Sequence, residues 1–148
     1  MKHLSKSLEE TREVAEGIVR GLDLGDVATV IALRGNLGSG KTAFSQAVGS
    51  VFGINEMSSP TFVIEKIYPI DYRGFKHLIH IDAYRLEKHT ELLHLGWAEI
   101  CREKENLILI EWPDRVSEII PENAMRINFK FVDETTREIE VGSKKQEV

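Results

Sequence analysis

Eight consecutive residues, Gly35-Asn36-Leu37-Gly38-Ser39-Gly40-Lys41-Thr42, have the types and spacing needed to hold a row of phosphates. The glycines let the backbone curl with positive φ, so that successive N–H groups and the start of a following helix aim at one anion. Lys41 supplies charge for the outer phosphates, and Thr42 a hydroxyl for Mg²⁺. Two acids extend this chemistry. Asp82 ends the run His77-Leu78-Ile79-His80-Ile81, and Glu111 ends Leu107-Ile108-Leu109-Ile110. A carboxylate at a strand end is a hard oxygen ligand fixed by a sheet, able to face a metal held by Thr42. The two acids compete for that place. Glu111 reads as the metal-side group, directly or through water, and Asp82 as the group orienting the metal shell or a water. A strand-end cap or ion-pair partner is the alternative role for either.

These groups work only if elements of the right kind carry them. The apolar run 27–33 predicts a strand leading into the glycine loop, and 43–52 predicts a helix leaving it, closed by Gly53. In an open α/β sheet ligands sit outside the strands' carboxyl ends, the edge where the loop, Asp82 and Glu111 all emerge. Upstream, Ser7 reads as an N-cap with Glu10 three places on, and Leu4, Leu8, Ala15, Ile18 and Leu22 repeat at helical spacing. Downstream, 62–68 reads as extended, 71–75 as a hairpin turn around Gly74, and Leu92, Leu93, Trp97 and Ile100 as a helical stripe broken by Gly96. Pro113 opens a further helical piece and Pro121 closes it. Alternation over 125–131, the turn 133–136 and the segment 137–141 predict an antiparallel edge hairpin. The expected fold is therefore α/β: one nucleotide-loop domain over 1–142, a mostly parallel sheet flanked by helices with an antiparallel C-terminal edge hairpin, and a frayed polar tail at 143–148.

Length and composition limit the function. A chain of 148 residues, 42% apolar, is one domain's worth and leaves little room for a separate catalytic domain. Its net charge of −5 offers no general field for nucleic acid, which disfavours autonomous RNA or DNA binding. A single cysteine, Cys101, forbids an internal disulfide. The start carries no apolar signal region and no run has membrane length, so the expected location is the cytoplasm.

Other reactive residues have a bland reading beside a functional one. Thr11 falls on the inward helical stripe, as a tolerated small residue or facing a ligand. Thr61, in Ser59-Pro60-Thr61, either starts a strand or senses γ-phosphate in a mobile loop. Arg85 either neutralises a transferring phosphoryl group or pairs with Glu87 or Glu91. His77 and His80 lie three apart on a strand, point to opposite faces and are no simple metal pair. Cys101 reads as a core hydrophobe, and Trp112 as a core or rim aromatic that can also close a pocket. No residue presents itself as an arginine finger, a group worth roughly 10³ to 10⁵ in rate, so slow hydrolysis is expected until a partner completes the site.

With these residues in place, the chain resembles the TsaE (YjeE) family of small bacterial P-loop ATPases, which act in making threonylcarbamoyladenosine in tRNA. The resemblance runs from Ser7 to Val141, through Ser7-Leu8-Glu9-Glu10-Thr11, the loop Gly35 to Thr42, Ser59-Pro60-Thr61-Phe62, His80-Ile81-Asp82-Ala83-Tyr84-Arg85-Leu86, Leu95-Gly96 with Glu99, and Ile110-Glu111-Trp112-Pro113. It implies that Lys41 and the loop amides across Asn36, Leu37, Gly38, Ser39, Gly40, Thr42 and Ala43 hold ATP. Thr42 and Glu111 would serve Mg²⁺, with Asp82 beside them, and Thr61 would lie in a switch segment. Asp82 and Trp112 would be needed for activity, and Thr11 and Arg137 would lie near the nucleotide. It implies partners of the TsaD and TsaB type, with tRNA reached only through that complex, which the ATPase resets or licenses between turnovers. Asn36 departs from the family's usual Asp, and Ser39 from a commoner Ala; the general loop signature leaves the first position free.

Two other functions fit the loop. A small-molecule kinase would use Asp82 and Arg85 after a strand as nucleoside kinases do, but it needs a second substrate pocket and a lid. A binding module would hold nucleotide as a structural ligand and never turn it over.

Overall fold

The computed structural model describes residues 2–36, 38–55 and 64–142. Leu37, Thr61 and the expected tail 143–148 lie outside the described residues. Seven strands form one sheet: β1 (Lys2–Ser5), β2 (Thr29–Arg34), β3 (Glu65–Tyr72), β4 (Phe75–Asp82), β5 (Asn106–Glu111), β6 (Met125–Asp133) and β7 (Thr136–Gly142). Their spatial order is β1-β7-β6-β2-β5-β4-β3. The four central strands, β6-β2-β5-β4, are parallel, and antiparallel pairs flank them on both sides. The sheet is thus mixed, with the parallel part at its centre, where β2 leads into the glycine loop and β4 and β5 end in Asp82 and Glu111.

Sequence explains that division. Every residue of β5 and four of the six in β2 are buried, as apolar strands covered on both faces must be. Helices α1 (Leu8–Arg20) and α2 (Lys41–Val51) cover one face, where Ala15, Val19, Phe44 and Val48 meet Ile31, Leu33, Leu107 and Leu109. Short helices α3 (His89–His94) and α4 (Trp97–Arg102) and a 3₁₀ segment, Pro113–Ile119, cover the other, where Leu92, Trp97 and Val116 meet Ala32, Ile108 and Ile110. Trp97 makes its burial affordable by donating its indole N–H to the Ile119 carbonyl at 3.0 Å. The β3–β4 turn is a two-residue hairpin at Arg73-Gly74, both with positive φ, which matches the twist of the paired strands.

Ser7 caps α1 as expected, its hydroxyl accepting from the Glu10 N–H at 3.0 Å, while the Glu10 carboxylate accepts from the Lys6 N–H. The helical stripe does not extend back through Leu4, however. Leu4 is 59% exposed and lies in β1, and Leu8 at the helix start is 76% exposed. The chain is extended before the cap, so the helical period begins only at Thr11, Ala15 and Val19, which are buried. β1 itself was not expected. It pairs antiparallel with β7, with Ser5 opposite Arg137, and places one more strand outside the C-terminal hairpin. Among the described residues, no helix is long and apolar enough to cross a membrane.

Candidate functional site

The loop leaves β2 at Arg34 and enters α2 at Lys41. Gly40 caps α2 at φ +109°, a left-handed conformation that leaves the first-turn amides open without a side-chain cap. Gly35 is required for a different reason: a Cβ there would meet the Phe129 carbonyl oxygen at 2.7 Å. Lys41 is 5% exposed and folds back across the loop, donating its ammonium hydrogens to the carbonyls of Gly35 and Asn36, the latter at 2.9 Å. The same ammonium lies 4.1 Å above the centre of the Trp112 ring. Burial pulls the Lys41 pKa below its ordinary value, against the opposing pull of Glu111, Asp82 and Asp114.

Strand register supplies the acids. In the parallel pairs, Glu111 stands opposite both Leu33 and Asp82, which brings both carboxylates to the loop edge of the sheet. Glu111 is 3% exposed and accepts from Thr42 Oγ1 at 3.4 Å, from Ser45 Oγ at 3.2 Å and from His80 Nε2 at 2.7 Å. A hydrogen bond from this imidazole to a carboxylate oxygen requires the ring hydrogen on Nε2. Asp82 is less enclosed and accepts from the Tyr84 N–H at 3.0 Å. Burial, helped by the charge of Glu111, lifts its pKa above the ordinary carboxylate value, while the Tyr84 N–H, His80 and Lys41 act against that rise. Trp112 sits at φ +61° and packs at 4.9 Å against Tyr84.

Two clefts meet at the first turn of α2. One, of about 340 Å³, is lined by Gly38, Gly40, Lys41, Thr42, Ala43, Asp82, Tyr84, Glu111 and Trp112. The other, of about 280 Å³, shares Gly40 and Ala43 and continues past Ser5, Thr11, Thr135 and Arg137. The structure therefore brings Lys41, Thr42, Asp82, Glu111 and Trp112 together, and places Thr11 and Arg137 on the far side of the same helix start. Arg137 donates through Nε to the Gly38 carbonyl at 3.1 Å, tying β7 to the loop. Asn36 is exposed and contributes its carbonyl, and Ser39 is buried within the loop.

Sequence reasoning missed His80 and Ser45 as parts of this network. Both carried a readable signal. His80 lies two residues before Asp82 on a strand, hence on the same face, and Ser45 lies one helical turn after Lys41 and Thr42. His77 faces away and meets Asn106 at 3.2 Å, so the two histidines are not a metal pair.

A family model described as "Threonylcarbamoyl adenosine biosynthesis protein TsaE" matches residues 5–139. The chain belongs to the TsaE family. A Treponema pallidum protein named tRNA threonylcarbamoyladenosine biosynthesis protein TsaE is 32% identical over 143 residues, covering 96% of this chain and 100% of that one. Its Bacillus subtilis namesake is 35% identical over 132 residues, covering 88% and 78%. The crystal structure of Bacillus subtilis YdiB superposes with a TM-score of 0.74 at 27% identity, covering 97% of this chain and 85% of that chain. The TsaE-family match begins at Ser5, so it takes in the end of the N-terminal strand as well as the glycine loop and both strand-end acids.

Proposed function

We propose that the chain is a slow, Mg²⁺-dependent ATPase that acts as a switch on a TsaD–TsaB type complex in the cytoplasm, where threonylcarbamoyladenosine is made in tRNA. The observation that carries this reading is the convergence of Lys41, Thr42 and Glu111 at an uncapped helix start whose two adjoining clefts suit the two ends of a nucleotide. The triphosphate would lie on the loop amides in the larger cleft and the base beyond Gly40. Lys41 would exchange the Gly35 and Asn36 carbonyls for phosphate oxygens.

The residues present fit Mg²⁺. The Thr42 hydroxyl and the Glu111 carboxylate are hard oxygen donors already facing each other, and Asp82 lines the same cleft. Among the described residues no group of three or more His, Cys, Asp or Glu could hold a metal. Phosphate and water would complete the shell, the usual arrangement for this ion. When bound, Mg²⁺ would supply charge neutralisation on the β and γ oxygens. His80 and Ser45 hold Glu111 in one orientation. Asp82, with its raised pKa, is suited to orient the attacking water and take its proton. Slow turnover by the chain alone belongs to this reading, with a partner completing the site. Thr61 belongs to this reading as a switch residue.

The test is ATP hydrolysis by the purified chain, alone and with TsaD and TsaB proteins from the same organism. Slow turnover stimulated by the partners is expected. Lack of turnover under both conditions would favour a binding module, and transfer to a small nucleoside acceptor without partners would favour a kinase.

A further inference from the structure

Two buried hydroxyls at the floor of the smaller cleft have a fixed polarity. Ser5 is 2% exposed and Thr11 is 7% exposed, and their oxygens are 2.7 Å apart, close enough for a strong hydrogen bond. Ser5 Oγ donates to the Ser7 carbonyl at 2.9 Å. A hydroxyl has one hydrogen, so Ser5 must accept in its contact with Thr11, and Thr11 must donate. Thr11 thereby spends its only hydrogen inside the protein. What it keeps for the cleft it lines is a pair of acceptor sites.

We propose that Ser5, acting through Thr11, selects the base: the slot takes a purine with an amino group at the edge facing Thr11 and disfavours one with a carbonyl there. This rests on the nucleotide-binding reading above. An acceptor facing an amino group makes a hydrogen bond, whereas an acceptor facing a carbonyl leaves two buried oxygens opposed and desolvated. Ser5 is a positioning residue, held by the register that sets it opposite Arg137 in β7. Pairing of β1 with β7 is what brings the Ser5 hydroxyl to the cleft.

The experiment compares ATP with ITP, which replaces the amino group by a carbonyl, and with tripolyphosphate, which has no base. Binding constants are measured for the parent chain, Ser5→Ala, Thr11→Val and Thr11→Ser. The parent is expected to prefer ATP over ITP by about tenfold or more, the scale set by one opposed buried pair. Ser5→Ala frees the Thr11 hydroxyl to turn and donate, so the ratio should fall to within about threefold, and Thr11→Val should bring it to near unity, while Thr11→Ser keeps it. Tripolyphosphate binding should be the same in all four. Equal affinity of the parent for ATP and ITP overturns base selection, and that result needs no variant to fold. A full ratio in Ser5→Ala overturns the role of Ser5. Failure of the parent to bind even tripolyphosphate overturns the nucleotide reading beneath both.

Discussion

The two clefts that meet at Gly40 are built by different physics. The cleft proposed for the phosphates is charged and central: Asp82 and Glu111 end parallel strands and accept donated hydrogens, and Lys41 opens the helix that follows β2 and donates to the Gly35 and Asn36 carbonyls. The cleft proposed for the base is peripheral, where the start of α1 meets the antiparallel strands added at one edge: the hydroxyls of Ser5, Thr11 and Thr135 line it, with Lys6, Glu134 and Arg137 as its charged groups. The comparison separates affinity from selection. Charge focused by a buried frame supplies strong but indiscriminate attraction for phosphate, whereas uncharged groups with fixed hydrogen positions distinguish one base from another.

Substitutions can break this division, and the largest effect belongs to the charged side. Lys41→Ala should weaken ATP binding by about 100-fold or more, since charge-assisted hydrogen bonds contribute roughly 1.5–3 kcal/mol each. Titration calorimetry would measure it, and a parent-like constant would remove the phosphate side from the account. Glu111→Gln keeps the size of the side chain but not its charge. It should lower ATP hydrolysis by about 10²-fold or more while changing ATP affinity only a few-fold, the pattern of a group needed chiefly in the transition state. A parallel fall in both would make Glu111 a binding group instead.

Gly40→Ala strikes both clefts at once. The left-handed backbone at φ +109° is strained for any residue with a Cβ, by roughly 1–2 kcal/mol, so thermal stability and ATP binding should both decline. A variant that lost phosphate binding but kept its stability would mean that the loop relaxes independently of β7. The smallest effect is expected at Asp82. Burial raises its folded pKa, so its contribution favours folding only below the unfolded carboxylate value and is lost as pH rises through the folded one. At neutral pH the ionised group costs stability. Asp82→Asn should therefore raise the Tm slightly at pH 7, with the advantage shrinking as pH falls through the carboxylate range, even as hydrolysis drops. A Tm advantage that grows on acidification would reverse the sign of this argument.

The convergence of the glycine loop, Asp82 and Glu111 was legible in the sequence because its signals are local. A glycine loop between an apolar run and a helix, and acids directly after two other apolar runs, name their own positions. The network around Glu111 was only partly legible. Period-two and period-3.6 spacing put His80 and Ser45 on the correct faces, but nothing local says that the two faces meet the same carboxylate. The smaller cleft was almost illegible. Ser5 reaches it only when β1 pairs with β7, a contact spanning more than 130 residues that no short window contains. Leu4 shows the same limit, because an apolar residue at helical spacing was drawn into the helix pattern although the cap at Ser7 had already ended it upstream. The family resemblance, resting on the order of motifs along the chain, assigned Thr11 and Arg137 to the nucleotide where spacing alone left Thr11 open.

The central claim is that the glycine loop holds a triphosphate, and amide NMR during titration with Mg-ATP tests it most directly. The account predicts large shifts at Gly38, Gly40, Lys41 and Thr42, with smaller ones at Thr11, and small change at Gly25 and Gly74, remote from both clefts. Loop amides that stay in place while ATP reaches saturating concentration would contradict it.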